Sequence, residues 1–186
     1  MLLSAYGHGI FPMAINPRGT IGWFSPDPRA IIPLDDRFHI PHGLRRSLKK
    51  GRFEVTVDTD FKGVIRACSR SHGETWISPQ ILRSYCRLYE EGYAHSVETR
   101  LEGELVGGLY GVHIGGAFFG ESMFHRETDA SKVALVALVE RLRQSGFSLL
   151  DTQWLTPHLV QFGAREIPRP VYLRLLATAS TFDCQF

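Results

Sequence analysis

The chain has 186 residues, of which 44% are hydrophobic and 22% are charged, and its formal net charge is +2. These values are ordinary for a soluble globular domain and exclude collagen, a coiled coil and wholesale disorder. A domain of this length can bury roughly 70% of its unfolded surface, so its core needs neither a metal nor a disulfide to form.

The metal-binding and thiol-bearing residues are sparse. The cysteines, Cys68, Cys86 and Cys184, are odd in number and far apart, which argues against a disulfide framework or a zinc ribbon. His39 and His42 are closely spaced but lack a third ligand nearby, so no metal site is expected. No apolar run reaches the ~20 residues of a membrane span, and the start lacks a signal core, so we expect a cytoplasmic protein without a membrane partner.

The first half of the chain predicts loops followed by helices. Residues 1–35 are rich in Gly, Pro and aromatic residues, which is typical of packed loops and short strands. Helical spacing is found in three segments, 41–50, 60–69 and 79–91. Ser78 is suited to cap the third helix and Gly92 to end it, and residues 53–57 alternate as a strand.

The second half contains the clearest pattern. Three strands are predicted to form an antiparallel meander, over 95–101, 105–114 and 117–124. Asp129 is expected to cap a helix over 130–144 that Gly146 ends. The remaining predicted elements are a strand over 148–151 and helices over 156–162 and 170–180.

This order, β-β-β-α-β-α, is the skeleton of the acyltransferase fold of GCN5-like N-acetyltransferases. The predicted class is therefore α+β, with a mixed, mostly antiparallel sheet, flanking helices and a short preceding N-terminal segment. Fold alone does not carry function. The turn over 123–129 lacks the glycine-rich cradle expected for coenzyme A, so an acetyl-CoA enzyme is disfavoured and no cofactor is expected.

A basic stretch without any acid runs from Arg37 to Arg52. On its predicted helix lie four cations, Arg45, Arg46, Lys49 and Lys50. Such a local positive field suits phosphates, although a solvated helix face remains the alternative.

One motif partly matches a serine hydrolase. Ser122, Asp151 and His158 follow the chain order of a hydrolase triad, and Gly120 precedes Ser122 as in a nucleophile elbow. However, Phe124 replaces the second glycine, and Ser122 lies inside a predicted strand. A serine hydrolase using Ser122 therefore stays as an alternative.

Asp151 and Gln153 lie at the end of a predicted strand. The period of two would place both side chains on one face, about 7 Å apart. The functional interpretation is an Asp that orients a Gln, whose carbonyl oxygen points into a cleft; the alternative is a polar strand end in water. Trp76 is a further candidate because its surroundings are polar, although core packing is equally compatible.

The sequence resembles the bacterial leucyl/phenylalanyl-tRNA-protein transferases over nearly its entire length. The resemblance rests on collinear motifs: Gly9-Ile10-Phe11-Pro12, Trp23-Phe24-Ser25-Pro26-Asp27-Pro28-Arg29, Thr75-Trp76-Ile77, Gly92-Tyr93-Ala94-His95-Ser96-Val97-Glu98, Glu104-Leu105-Val106-Gly107-Gly108-Leu109-Tyr110-Gly111-Val112, Gly120-Glu121-Ser122-Met123-Phe124, Ala130-Ser131-Lys132, Asp151-Thr152-Gln153 and Gly163-Ala164-Arg165-Glu166-Ile167-Pro168-Arg169.

The resemblance implies an aminoacyltransferase that moves Leu or Phe, and Met as a further candidate, from aminoacyl-tRNA to the N-terminal Arg or Lys of a protein. The product is thereby marked for degradation. The implied enzyme is a monomer with the acyltransferase fold. Residues 1–35 would be the remnant of a small N-terminal domain and residues 36–186 the catalytic domain.

The resemblance also implies roles for single residues. The catalytic pair falls on Asp151 and Gln153, the aromatic residue that holds the 3′-terminal adenosine falls on Trp76, and an acid near the reacting groups falls on Glu121. The side-chain pocket falls on four residues, Phe118, Leu109, Met123 and Leu138. The contacts with tRNA phosphates fall on the basic helix, at Arg45, Arg46, Lys49 and Lys50.

The sequence departs from the family pattern at several points. Met13 stands where the family usually has Trp, His125 replaces a common Ser, and the sequence begins where family members normally carry an additional N-terminal segment. A non-catalytic tRNA-binding module is a second alternative, which would keep the basic helix but tolerate loss of Asp151.

Overall fold

The computed structural model describes residues 1–71 and 75–186. Its helices are α1 (Leu2–Gly7), α2 (His42–Lys49), α3 (Phe61–Cys68), α4 (Pro79–Glu90), α5 (Ala130–Gln144), α6 (Pro157–Val160) and α7 (Arg169–Ala179). Its strands are β1 (Phe11–Ala14), β2 (Ile21–Phe24), β3 (Arg29–Ile32), β4 (Glu54–Val57), β5 (Ala94–Leu101), β6 (Glu104–Ile114), β7 (Ala117–His125), β8 (Leu149–Gln153) and β9 (Arg165–Ile167).

The strands form a small hairpin sheet, β1-β2, and a seven-stranded sheet with the order β4-β5-β6-β7-β8-β3-β9. Neighbours in the large sheet are antiparallel, except that β7 and β8 are parallel. The connection between these two strands contains α5, as a parallel pair requires a crossover. The predicted α+β class and the meander followed by a helix and a parallel strand are confirmed.

The large sheet is packed on both faces. One core cluster joins it to α1, α3, α4 and α7 and contains Tyr6, Phe61, Tyr85 and Tyr172. The other cluster joins it to α2 and α5, and it contains Leu44. The sheet is thus the middle layer of three, which is a stable way to bury both of its faces.

Several predicted helix boundaries are confirmed by their hydrogen bonds. The Asp60 carboxylate accepts from the Gly63 amide at 2.9 Å at the start of α3, and Ser78 Oγ accepts from the Ile81 amide at 3.3 Å at the start of α4. Gly92, with a φ of 80°, ends α4 as predicted.

Asp129 precedes α5 as predicted, but its side chain makes no capping hydrogen bond. Its carboxylate accepts instead from Ser47 Oγ at 2.7 Å and from Lys132 Nζ at 3.0 Å. The bond to Ser47 connects α2 to the start of α5, so this carboxylate contributes to tertiary structure rather than to the cap.

Other elements differ from the prediction. The helix predicted over 156–162 is shortened to Pro157–Val160, and a three-residue strand, Arg165–Ile167, follows it. Residues Leu2–Gly7, predicted as loop or strand, are helical because Tyr6 is buried against distant parts of the chain. Tertiary contacts of this kind override local propensity.

The segment assigned to an N-terminal remnant, residues 1–35, contributes to both sheets. β1 and β2 pair only with each other, whereas β3 lies between β8 and β9 in the large sheet. The division of the chain at residue 35 stays a prediction. No helix in the described parts of the chain is both long enough and apolar enough to cross a membrane.

Candidate active site

A cavity lies where two parallel strands separate. β7 and β8 pair from Ala117 and Leu149 up to Phe119 and Asp151. Beyond this point the residues that follow in both strands line a cavity of about 580 Å³. The loss of pairing therefore creates an opening in an otherwise continuous sheet.

A β-bulge at Glu121 shapes the β7 side of this cavity. Tyr110 of β6 is opposite Ser122, but the next residue, Gly111, is opposite Gly120, which leaves Glu121 as the extra residue. A bulge redirects side chains and is frequent next to active sites. Here it turns Glu121 toward a cluster of tyrosines.

Glu121 is buried, with 8% of its surface exposed, and both oxygens of its carboxylate accept hydrogen bonds. Oε1 accepts from Tyr6 Oη at 2.7 Å and from Gln153 Nε2 at 2.9 Å, while Oε2 accepts from Tyr85 Oη at 2.9 Å. Burial raises the pKa of Glu121 to about 7, although the two tyrosine hydrogen bonds act in the opposite direction. This carboxyl group therefore changes charge near neutral pH.

Asp151 lies on β8 in a fully buried ion pair. Arg29 donates from Nε to Oδ1 at 2.9 Å and from Nη2 to Oδ2 at 2.6 Å, and Tyr172 Oη donates to Oδ2 at 2.7 Å. Arg29 also donates to the Gly9 carbonyl at 2.9 Å and lies over the rings of Phe11 and Tyr172. The two-pronged contact fixes the orientation of the carboxylate.

Gln153 is held from two sides. Its backbone amide donates to Asp151 Oδ1 at 2.8 Å, and its side-chain Nε2 donates to Glu121 Oε1. Its φ of 66° takes the backbone out of the strand conformation. The two residues are therefore related by this local hydrogen bond as well as by their spacing of two residues on β8.

Gln153 Oε1 is left as the free polar atom of this side chain. Within residues 1–71 and 75–186 it has no hydrogen-bond partner, and Gln153 lines the cavity. The predicted arrangement of an Asp, a Gln and a cleft is present, with Glu121 as an additional contact.

Three predicted pocket residues, Leu109, Met123 and Leu138, line the apolar part of the cavity. Phe118 does not. It is fully buried and stacks on Phe186 at a centroid distance of 5.2 Å. Its pairing partner on β8, Leu150, does line the cavity, whereas Phe118 packs into the core.

Trp76 lines the cavity together with Met13. The Trp76 carbonyl accepts from the Ala14 amide at 3.2 Å, which ties the segment before α4 to β1. The sequence thus identified an aromatic residue at the cavity, and Met13 occupies the position beside it.

The basic helix α2 is separate from the cavity. Its four predicted cations, Arg45, Arg46, Lys49 and Lys50, are all exposed, and none of them lines the cavity. Their exposure is compatible with a macromolecular ligand and equally with a solvated face.

The hydrolase alternative receives no geometric support. Ser122 lies within β7, next to the buried Cys68 thiol, whose pKa is raised by burial to about 12. Asp151 is bound by Arg29 and Tyr172, and His158 Nε2 has no hydrogen-bond partner in the described part of the chain. No hydrogen bond between Ser122 and His158 therefore exists among the described residues.

Sequence reasoning gave no role to Arg29, Tyr6, Tyr85 or Tyr172. Arg29 ends the motif that begins at Trp23, and Tyr85 occupies a buried helix position where an aliphatic residue would fit. A polar-tipped side chain at such a position was the available signal, since buried hydroxyls require partners.

Comparison with known proteins identifies the family. Residues 31–177 match the leucyl/phenylalanyl-tRNA protein transferase family, and residues 1–27 match the N-terminal domain of the same transferases. The chain belongs to the leucyl/phenylalanyl-tRNA protein transferase family. It is therefore an aminoacyltransferase.

Individual relatives agree with this assignment. The leucyl/phenylalanyl-tRNA–protein transferase of Akkermansia muciniphila is 58% identical over 181 residues, which cover 96% of this chain and 94% of the relative. That of Herpetosiphon aurantiacus is 55% identical over 186 residues, covering 100% and 96%. The resemblance read from the sequence motifs is confirmed.

Solved structures confirm the fold. A GCN5-related glucosamine N-acetyltransferase region of a fungal multi-domain β-N-acetylglucosaminidase is similar, with a TM-score of 0.53 and 12% identity, over 76% of this chain and 20% of that chain. At this identity the likeness concerns the fold alone.

Proposed function

We propose that the protein transfers Leu or Phe from aminoacyl-tRNA to the N-terminal Arg or Lys of an acceptor protein and so marks the acceptor for degradation, with Met as a third donor to be tested. The observation that carries the proposal is that one cavity combines an apolar part with the Gln153 amide oxygen. The names of the relatives support a tRNA donor and a protein acceptor.

The cavity can hold the end of the donor. Leu109, Met123 and Leu138 offer an apolar surface for the Leu or Phe side chain. Trp76 offers an aromatic face for the 3′-terminal adenosine, and base-aromatic stacking of this kind contributes about 1–3 kcal/mol. The reacting ester would then lie between these two surfaces, near Gln153.

The chemistry needs positioning more than it needs a strong base. An α-amino group has a pKa of roughly 8, so a useful fraction is neutral at neutral pH. In the proposed step its nitrogen forms a bond to the ester carbonyl carbon, the bond to the ribose oxygen breaks, and that oxygen receives the proton. Gln153 Oε1 accepts a hydrogen bond from the attacking amine and stabilises its developing positive charge.

Asp151 and Glu121 act on Gln153 from different sides. Asp151 accepts from its backbone amide and Glu121 from its side-chain amide. Because Nε2 is held by Glu121, Oε1 is the atom that remains for the amine. Glu121 also lines the cavity, so its charge is available to the α-ammonium group of the donor.

The test is transfer of labelled Leu from charged tRNA to a peptide that begins with Arg or Lys. A matched peptide that begins with Ala is the control. Transfer to the cationic peptides alone supports the proposal, and equal transfer to all peptides overturns the acceptor rule. Binding of tRNA without transfer would instead support the tRNA-binding module. Ester hydrolysis that is lost in Ser122→Ala would support the hydrolase.

A further inference from the structure

A second groove lies between α3 and α4, on the opposite side of the sheet from α2. Its volume is about 320 Å³. It is lined by four cations, one acid, one aliphatic side chain and one thiol: Lys62, Arg66, Arg83, Arg87, Glu90, Leu82 and Cys86. The groove was not singled out in the sequence because its cations come from two separate helices.

The acids leave two of these cations uncompensated. Lys62 Nζ pairs with Glu90 at 3.3 Å, and Arg87 Nε pairs with Glu91 at 2.7 Å. Arg66 and Arg83 are exposed, and neither forms an ion pair with any residue in 1–71 or 75–186. Among the described residues, the groove therefore presents two guanidinium groups that have no acidic partner, within a positive surface.

The cations follow the helix repeat. Lys62 and Arg66 are four residues apart on α3, and exposed Arg70 follows at the same interval; Arg83 and Arg87 are four apart on α4. Residues at this spacing lie on one helix face, about 6 Å apart along the axis. Two rows of regularly spaced cations fit a linear polyanion better than a single acidic side chain.

The groove also points toward the cavity. The chain leaves α3 at Cys68, carries Trp76, and enters α4 at Pro79. The ends of both helices that border this connection are therefore on the side of Trp76, and Arg66 lies in the last turn of α3. Arg66 is thus on the path from Trp76 along the groove.

We propose that this groove binds phosphates of the donor RNA strand whose terminal adenosine lies at Trp76. The proposal rests on the proposed function, because that function supplies an RNA strand attached to the adenosine. Guanidinium groups bind phosphate oxygens in a two-pronged manner, so Arg66 and Arg83 are suited to consecutive phosphates. A single-stranded end contributes a salt dependence of about 0.7 in log-log slope for each phosphate contact.

The test compares Arg66→Gln/Arg83→Gln with a charge-matched control, Arg165→Gln/Arg174→Gln, whose exposed residues lie in β9 and α7 outside the groove. For the groove variant we expect the KM for aminoacyl-tRNA to rise about tenfold. The slope of log KM against log salt concentration should decrease by about 1.4, which corresponds to two lost phosphate contacts. Turnover with an aminoacyl-adenosine that lacks these phosphates should stay at the wild-type value. The control should change neither quantity.

Further readouts separate the possible failures. The proposal is overturned if the groove variant keeps the wild-type KM and salt slope. It is also overturned if only the KM for the acceptor protein rises, which would indicate an acidic protein partner. If the wild type transfers nothing, the proposed function fails. The groove is then tested by the binding of a tetranucleotide ending in CCA, measured by fluorescence anisotropy. Its affinity should fall for the groove variant and recover for Arg66→Lys/Arg83→Lys. Equal affinities for all three proteins overturn the proposal.

Discussion

The side-chain amide of Gln153 donates a hydrogen bond to Glu121 Oε1 at 2.9 Å. This bond joins β8 to β7 beyond the point at which their backbone pairing has stopped. Because Glu121 accepts from the amide nitrogen, the amide oxygen is oriented away from the carboxylate. The relationship assigns Glu121 a positioning effect on Gln153, in addition to its own charge in the cavity.

Replacement of Gln153 should separate chemistry from binding. We expect Gln153→Ala to reduce transfer by ~10²-fold, since a positioned polar group typically contributes this much, while the affinity for charged tRNA stays close to the wild-type value. Single-turnover transfer and equilibrium tRNA binding measure the two quantities. Glu121→Gln is the matched comparison, because its amide oxygen can still accept from Gln153, and it should lose less. Intact transfer in Gln153→Ala would contradict the catalytic role.

Asp151 needs a different design because it neutralises buried Arg29. Asp151→Ala should lower the free energy of unfolding by about 3–5 kcal/mol, as expected when a buried ion pair loses one partner. The triple variant Arg29→Met/Asp151→Leu/Tyr172→Phe removes all three polar groups and should recover much of this loss in denaturant unfolding. It should still transfer poorly, because the backbone amide of Gln153 no longer has the Asp151 carboxylate as its acceptor. Wild-type transfer in a folded triple variant would make Asp151 a purely structural residue.

The raised pKa of Glu121 predicts a pH dependence of stability. Its folded-state pKa of about 7 is above the ordinary value of 4.5, so its contribution to stability is complete below pH 4.5 and is lost as the pH rises through 7. Relative to Glu121→Gln, the free energy of unfolding of the wild type should fall by about 3 kcal/mol over this interval. Denaturant unfolding of both proteins from pH 4.5 to 7.5 measures the difference. Parallel curves would show that this carboxyl group titrates normally.

The sequence predicted those parts of the site that local patterns determine. The strand ending at Asp151 and Gln153 and the strand containing Glu121 were visible as alternating or apolar runs. Trp76 was identifiable because an aromatic residue in a polar stretch is unusual. These features depend on neighbours in the chain, so one sequence was sufficient to find them.

The remaining parts depend on contacts between distant segments. Arg29, Tyr6 and Tyr172 reach the site from three different elements, and no periodicity links them. The bulge at Glu121 places Phe118 and Met123, five residues apart, in the same core cluster, which regular alternation would forbid. Which of these residues line the cavity then depends on the three-dimensional packing, and Phe118 is fully buried outside the lining.

The basic helix α2 gives a prediction independent of the groove between α3 and α4. If Arg46 and Lys50 contact phosphates of a duplex part of the tRNA, Arg46→Gln/Lys50→Gln should raise the KM for charged tRNA and reduce its log-log salt slope by about 0.9 for each lost contact. Turnover at saturation should stay largely unchanged. Steady-state kinetics at several salt concentrations supply both values. An unchanged slope would show that these residues of α2 form a solvated helix face that does not contact phosphates.

Donor specificity should follow the cavity lining and not the core beside it. Ile and Val should be poor donors, because their β-branch would meet the strand wall near the reacting carbonyl; a difference of one methylene corresponds to about 10–200-fold in kcat/KM. Leu138→Phe fills part of the apolar lining and should lower kcat/KM for Phe more than for Leu. Phe118→Leu alters the fully buried neighbour, so it should lower the stability through lost packing and leave the ratio of Phe to Leu unchanged. Competition between the two charged tRNAs measures this ratio directly. If the ratio changes in Phe118→Leu but not in Leu138→Phe, the donor side chain binds elsewhere.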